Sequence, residues 1–450
     1  MIDINIFIFR RDLRFEDNTT LNLLLALDLP ILPIFIFNQH QINPKLNKYF
    51  SNNCVQFMVE SLKELSVNLY DSDDDLKILN ELKKKYKIHT IGFNKDFTPF
   101  AIKRDNIIKE WCDKNNINLI TEEDYTLFPI GNIKNNKNKT FEDFTPFYNK
   151  CKANSKLIRR PEIVHFQKNK LILNKNKINP DIYYKPNPDI SVNGGRKKAL
   201  MILDKIKNGD FKNYEKTRNV LSIEGTTKLS AYLKFGCISI REVYYCFNDK
   251  NNPIVRELIW REFYANITFS FPKVLSGNSF KSKYNNIKWS YDKNNFTRWC
   301  NGTTGFPIVD AGIRQLNTTG WMHNRARMIV AMFLTKDLFI DWKMGEQYFA
   351  SKLVDYDPSS NNGGWQWCSS TGTDSQPYFR IFNPYLQAKR FDKDCIYIKK
   401  WVPELKDIPN KDILTWDKNY IKYENMYYEP IVDHSIASKH AIKEFKLSFL

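Results

Sequence analysis

Short runs rich in Ile and Phe alternate with segments of helical period over residues 1–130, and nothing else in the 450 residues constrains the fold as tightly. The runs are Ile4–Phe9, Ile31–Phe37, Val67–Tyr70, Thr90–Phe93 and Asn118–Thr121, with helix-period segments such as Cys54–Leu65 and Leu76–Tyr86 between them. Strands alternating with helices specify βαβ units and a parallel sheet. Such a pattern usually signals a dinucleotide domain. Here, however, G-x-G-x-x-G is missing, and Gly92 is the only glycine before Gly131. The first strand runs instead into Arg10, Arg11, Asp12 and Arg14, so the phosphate-cradling turn of a Rossmann motif does not apply. The expected first domain, residues 1–130, is α/β with a Rossmann-like parallel sheet that lacks the glycine fingerprint.

From 131 the composition changes. Residues 131–200 hold 16 Lys and Arg against 5 Asp and Glu, with Pro180, Pro186 and Pro188 near the end. We read 131–195 as a long basic linker. From 196 to 450 the period is helical, as in Lys197–Ile206, Leu229–Phe235, Val255–Phe269, Gly305–Leu316 and Met322–Phe333, so the second domain is predicted to be all-α. Nine of the ten tryptophans lie between 260 and 416, which puts whatever needs an indole in this second domain.

The whole chain carries a formal charge of +18. Nucleic acid, an anionic membrane surface and codon bias toward Lys, Asn and Ile each account for it. The most apolar stretch, Leu21–Phe37, is broken by Asn22, Asp28, Pro30 and Pro33, so no membrane span is predicted. The N-terminal segment has an acid at Asp3 and no small-residue cleavage site, unlike a secretory leader. The eight cysteines contain no C-x-x-C pair and are expected as free thiols in a reducing compartment. The six histidines contain no H-x-x-x-H, and no metal site is expected.

Four segments crowd together residues suited to chemistry. In Glu224–Phe235, Thr226, Thr227 and Ser230 stand at a helix start, where hydroxyls and free N–H groups make an anion site; simple N-capping is the competing reading. In Arg256–Tyr264, helical spacing puts Glu257, Trp260, Arg261 and Tyr264 on one face, a carboxylate and a cation beside an aromatic plate, against the alternative of a salt bridge over a packed ring. In Gly320–Val330, Asn324 and Met328 share a face flanked by Arg325 and Arg327. An amide can read a nucleobase edge and Met is a soft filler beside a ring; the alternative is a core helix with a solvated Arg pair. The fourth, Asp355–Trp367, packs two acids, two asparagines, two glycines and two indoles into 13 positions, a density that packing alone does not explain.

In this order, FRRDLRFEDN (9–18), EGTTKLSAYL (224–233), ELIWREFY (257–264), GFPIVDAGIRQLNTTGWMHNRARM (305–328), DLFIDW (337–342) and NNGGWQWCSSTGTDSQPYFRIFNP (361–384) closely resemble the photolyase/cryptochrome family. Within it they are most similar to the class I cyclobutane pyrimidine dimer photolyases. The resemblance covers almost the whole chain. It implies an α/β antenna domain, an all-α domain holding FAD (reduced in its active form) and light-driven splitting of pyrimidine dimers, a carbon–carbon lyase reaction. By position, Tyr214, Thr226, Thr227, Lys228, Leu229 and Ser230 would hold the FAD phosphates and ribityl chain. Arg327 and Asp355 would pair over the isoalloxazine, with Asp357 nearby and Asn361 facing flavin N5.

For the lesion, the resemblance implies Glu257 and Asn324 on the base edges, Met328 on the cyclobutane ring, and Trp260 and Trp367 as the aromatic wall. Photolyases flip their target out of the duplex at a cost of a few kcal/mol, which stacking at about 1–3 kcal/mol per base offsets. Arg218, Arg261, Arg325 and Gln387 would join Glu257, Trp260 and Asn324 in touching DNA, and the positive charge then has a use. Trp365, Trp342 and Trp289 match the family's electron-transfer triad. Asn324 and Met328 stand where (6-4) photolyases carry His, and neither titrates, which argues against (6-4) repair.

Two positions depart from the pattern. Ile254 replaces a frequent aromatic beside the flavin. Phe100-Ala101 replaces the Asn-Glu pair of folate-type antennas, which argues against methenyltetrahydrofolate and leaves a deazaflavin antenna, a flavin antenna or none. The implied partner is UV-damaged DNA, single- or double-stranded, acted on by a monomer with no membrane and no obligate protein partner. The implied setting is intracellular and soluble, in cytoplasm or nucleus (of the host, for a viral source). A cryptochrome-type blue-light photoreceptor, with the same fold and FAD but no repair, is the alternative.

Overall fold

The computed structural model describes residues 1–162, 170–174, 178–247, 249 and 251–448, so part of the predicted linker lies outside the described residues. Its contacts form two units: 1–186, 192–212 and 227–272 in the first, and 187–191, 213–226 and 273–450 in the second.

In the first unit, β1 (Ile2–Phe9), β2 (Ile31–Asn38), β3 (Asn68–Ser72), β4 (Tyr86–Asn94) and β5 (Asn118–Glu122) make one parallel sheet ordered β3-β2-β1-β4-β5. β1 and β2 are buried almost end to end. A parallel sheet covered on both faces demands this, and it is why both strands read as unbroken apolar runs. β4 begins four residues earlier than predicted. Its first turn of sequence, Tyr86 to His89, is too polar to look like a strand, but Lys87 and His89 both reach Asp3 at the start of β1, at 3.0 and 2.6 Å.

The sheet is flanked by α1 (Thr19–Leu25), α2 (Asn52–Leu65), α3 (Asp75–Lys85) and α4 (Pro99–Lys114), which start at the side-chain caps Asn18, Ser51, Asp74 and Thr98. A Cβ on Gly92 would lie 2.6 Å from Leu24 Cδ1, so the lone glycine of the sheet is what lets α1 seat against β4. The later helices α5 (Phe144–Ala153), α6 (Arg196–Lys207), α7 (Ser230–Lys234) and α8 (Pro253–Ser270) also belong to this unit.

The arginines after β1 meet acids of their own unit. Arg14 pairs with Asp124 at 2.5 Å, and Arg241 pairs with Asp17 at 2.8 Å and Asp124 at 2.7 Å, all four side chains being at most 5% exposed. Burial pulls the Asp124 carboxyl up, but Arg14 and Arg241 outweigh it and hold it well below the usual carboxylate range. Arg10 pairs with Asp105 and Arg11 with Asp96. The segment that replaces a phosphate-binding turn is thus part of a buried ionic network.

The second unit is helical: α9 (Lys293–Asn301), α10 (Pro307–Thr319), α11 (Asn324–Met332), α12 (Trp342–Lys352), α13 (Pro358–Ser369), α14 (Pro384–Phe391) and α15 (His434–Leu447), with shorter turns between. α10 starts two residues later than predicted because Gly305 is left-handed and Phe306 extended. α11 starts at Asn324 because His323 caps it, its Nδ1 accepting from the Arg325 N–H at 3.1 Å. It then passes into a π-turn at Phe333–Asp337. Trp299, Trp342, Trp365 and Trp416 are at most 2% exposed and form the middle of the core. Much of the tryptophan excess is therefore packing. A Cβ on Gly345 would lie 2.1 Å from Trp365 Cη2, so α12 receives that indole directly against its backbone, one turn from Trp342.

Candidate functional site

The first unit carries one set of the expected residues. α8 starts at Asn252, which caps it, with Pro253 at its first position. Glu257 and Trp260 are half-buried and Ile254 is buried. Trp260 stacks on Phe144 at the start of α5, with centroids 3.6 Å apart and planes within 4°, and Tyr264 lies 5.6 Å away. The aromatic plate predicted for this face therefore exists, and Phe144 fixes one side of it. Arg261 turns toward Tyr125: its guanidinium lies 3.5 Å over the ring and Nη1 donates to the Tyr125 carbonyl at 2.7 Å. Glu262, beside it, is fully buried. It accepts from the Leu127 N–H at 2.7 Å, and burial raises its pKa to about 7.

Thr227, Lys228, Leu229 and Ser230 form the turn into α7. Lys228 is left-handed (φ +53°) and Leu229 is right-handed helical. That succession turns neighbouring N–H groups into one concavity, the backbone form of an anion nest. A non-glycine residue at positive φ stores strain that sites tend to keep. The five-residue α7 is shorter than the predicted helical segment.

The second unit carries the other set. Asn324 is exposed at the start of α11, with Met328 one turn on and Nδ2 3.9 Å from its sulfur, as the spacing predicts. The flanking arginines are held by the protein. Arg325 donates to Asn219 Oδ1 at 2.8 Å and lies 4.3 Å over Phe391. Burial, with Arg218 and Arg390 nearby, lowers its pKa to about 10. Arg327 donates to the Met322 carbonyl at 2.8 Å and pairs with Asp355 at 2.9 Å. Asp355 is 3% exposed and Arg327 26%, so this pair is open on one side.

Asp357 caps α13, accepting from the Ser360 N–H at 2.9 Å. Asn361 donates Nδ2 to Glu346 Oε1 at 3.0 Å, which leaves its carbonyl end for a ligand. Nothing lies within 4 Å of a Cβ built on Gly364. Trp365 Nε1 is buried with no hydrogen-bond partner among the described residues, and Trp367 is half-buried. Thr226 lines a pocket with Glu224, Trp321, His323, Tyr397 and Trp401. Arg218 lies 5.7 Å over the ring of Tyr214, and the Gln387 Oε1 on α14 is buried with no hydrogen-bond partner among the described residues. Trp342, Trp365 and Trp289 join one apolar core, Trp289 at its half-buried edge against Phe339, at 5.0 Å.

Sequence reasoning missed Phe144, Glu346, Asn219 and Trp321. Phe144 and Glu346 lie far in sequence from the residues they position, and only Trp321 sits inside a quoted motif, GWMHNRARM.

Residues 254–447 match the family described as the FAD binding domain of DNA photolyase, and residues 5–165 match DNA photolyase. The deoxyribodipyrimidine photo-lyase of Alkalihalophilus pseudofirmus is 35% identical, over 97% of each chain. The chain belongs to the DNA photolyase family. Among solved structures, an archaeal photolyase from Sulfolobus tokodaii, described with two FAD molecules, is similar at 37% identity and a TM-score of 0.87, over 99% of this chain and 100% of that one. A Synechocystis cryptochrome shares the photolyase fold at 24% identity and a TM-score of 0.86, over 98% of this chain and 99% of that one. The photolyase frame accounts for the α/β unit and for the FAD-binding helices. Among the described residues no helix is long and apolar enough to cross a membrane, and no cluster of His, Cys, Asp or Glu could hold a metal ion.

Proposed function

We propose that this chain is a deoxyribodipyrimidine photolyase, which splits cyclobutane pyrimidine dimers in DNA with the energy of blue light. The observation that carries this reading is the Asn324–Met328 pair on an exposed turn of α11 beside the one-sided Arg327–Asp355 pair. That combination of two non-titrating side chains and an open ion pair suits a reaction that moves an electron and no proton.

The residues fit FAD. The space over Gly364, the unpartnered Trp365 Nε1 and the open side of Arg327 are features a flat, polar-edged ring would satisfy. Reduced FAD, when bound, supplies the light-driven electron and takes it back. The chain's own residues do the rest. In this reading Lys228, with Thr226, Thr227, Leu229, Ser230 and Tyr214, holds the phosphates and ribityl chain, and the left-handed Lys228 aims the N–H groups. Arg327, neutralised by Asp355 and with Asp357, would hold the flavin ring, and Asn361, oriented by Glu346, would offer its carbonyl as a hydrogen-bond acceptor to the reduced ring. Glu257 and Asn324 bond the bases, Met328 meets the cyclobutane, and Trp260 and Trp367 wall it. Trp365, Trp342 and Trp289 would relay single electrons toward the bound flavin from the surface. Arg218, Arg261, Arg325 and Gln387 position DNA, Arg261 while its guanidinium also rests on Tyr125.

We further take the protein to act as a monomer on single- or double-stranded damaged DNA. Its free thiols suit a reducing intracellular compartment. The Sulfolobus tokodaii relative, described with two FAD molecules and the implication of a novel light-harvesting cofactor, favours a flavin over a folate as any antenna here.

The test is repair of a thymine dimer in an oligonucleotide by reduced protein, in light and in darkness. Light-dependent restoration of thymine, lost in Glu257→Ala and Asn324→Ala, is expected. Photoreducible bound FAD without repair would put the cryptochrome reading first.

A further inference from the structure

Trp365 has a second aromatic neighbour that leads away from the expected triad. Its ring contacts run to Phe349, at 4.9 Å, and to Trp299, edge to face at 6.1 Å. Trp299 in turn meets Tyr348 at 5.4 Å. All of these rings lie in the second unit, at centroid separations usual for packed aromatic pairs. We propose that Trp299 and Tyr348 form a second electron-transfer branch out of Trp365, ending in a tyrosyl radical. This rests on the reading above that Trp365 is the donor beside FAD.

The proton chemistry along the branch differs from ring to ring. Trp299 is 0% exposed and its Nε1–H donates to the Val330 carbonyl at 3.2 Å. A carbonyl is no base, so an oxidised Trp299 keeps its proton and stays ready to take an electron. Trp365 Nε1 is buried with no hydrogen-bond partner among the described residues, so an oxidised Trp365 has no base there to take its proton. Tyr348 is only half-buried. Its hydroxyl lies 2.7 Å from the Cys300 carbonyl and 2.6 Å from Oδ1 of Asn317, an exposed residue, so its proton has a route to water. Lys352 Nζ stands 5.5 Å over the Tyr348 ring and disfavours a cationic radical there relative to a neutral one.

The steps balance as follows. Photoexcited oxidised flavin, the one-electron oxidant, takes an electron from Trp365. Trp365 is refilled by one electron from Trp299, and Trp299 by one from Tyr348. Tyr348 releases its phenolic proton to water at Asn317 and is left a neutral radical.

The experiment uses the full chain with oxidised FAD, its tyrosines ring-deuterated, flashed with blue light and read by EPR. A signal that narrows on deuteration is expected beside the tryptophanyl one. Trp342→Phe is expected to keep it, and Tyr348→Phe and Trp299→Phe to abolish it. Should Trp299→Phe fail to fold, Tyr348→Phe, which loses one hydroxyl at a half-buried position, carries the test alone. No deuterium-sensitive signal, or one that survives Tyr348→Phe, overturns the branch. Protein that binds no FAD, or forms the same radicals as Trp365→Phe, overturns the reading of Trp365 itself. With FAD bound and Trp365→Phe silent, a missing tyrosyl signal overturns the branch alone.

Discussion

Two arginine–aspartate pairs, one in each unit, have the same chemistry and opposite surroundings. Arg14 and Asp124 are 2% and 5% exposed and are closed in by Arg241 and Asp17. Arg327 and Asp355 are 26% and 3% exposed, so the arginine side of this pair is not closed in. A closed ion pair has nothing left to offer a ligand and serves the fold. A pair with one open side keeps a guanidinium edge for something else. Salt-bridge geometry alone does not separate them; what lies on the far side of the arginine does.

The largest test falls on the closed pair. Asp124→Ala leaves Arg14 and Arg241 buried without their shared counter-charge and is expected to cost about 3–5 kcal/mol of stability in chemical denaturation. The folded fraction should bind FAD as before. Because the Asp124 pKa is depressed in the folded state, its contribution is present above about pH 4 and fades as pH falls below that value. The variant should therefore lose the steep acid limb of the stability curve.

On the open pair the order of effects reverses. Asp355→Ala is expected to weaken FAD binding by about 2–3 kcal/mol, thirtyfold or more in an equilibrium titration, while stability falls by about 1 kcal/mol or less. Equal losses in the two assays would erase the distinction between the pairs.

Glu262 is a third case, a buried carboxylate whose Oε2 has no hydrogen-bond partner among the described residues. Burial raises its pKa to about 7. Its neutral form is the one the fold accepts, so its contribution is intact below about pH 4.5 and is lost as pH rises through about 7. Between pH 5 and 8 the drop is expected to be on the order of 1–2 kcal/mol, and Glu262→Gln should flatten it in melts across that range.

The smallest effect is at Gly364. Alanine there meets nothing within 4 Å and removes a helical glycine, so the FAD-free protein should gain about 0.5–1 kcal/mol. The same methyl enters the space read as the flavin's, so FAD affinity should fall. A stabilised variant with unchanged FAD affinity would move the ring elsewhere.

How much of this could be read in advance follows from how local each cause is. The five strands were legible because a doubly covered sheet imposes unbroken apolar runs; the start of β4 was not, since Lys87 and His89 are satisfied by an aspartate on another strand. Asn324 and Met328 share a turn, and helical spacing alone predicts their meeting. The Arg327–Asp355 pair needed the family resemblance, because 28 residues separate its members. The arginines after β1 were legible as a departure from a phosphate turn, but not as a network closing on Asp124 and Asp17. Phe144 and Trp299 carried no sequence signal at all: an apolar ring in a helix looks the same whether it fills a core or backs a site.

The stack of Trp260 on Phe144 has a consequence in entropy. An indole free to choose among rotamers loses about 0.5–1.5 kcal/mol of freedom when a ligand immobilises it. Parallel to Phe144 and in contact with it, Trp260 has lost that freedom when the chain folds. A flat group arriving on its open side meets a surface already in position, so its residence there is set by the contact itself and by none of the disorder that contact would otherwise have to quench.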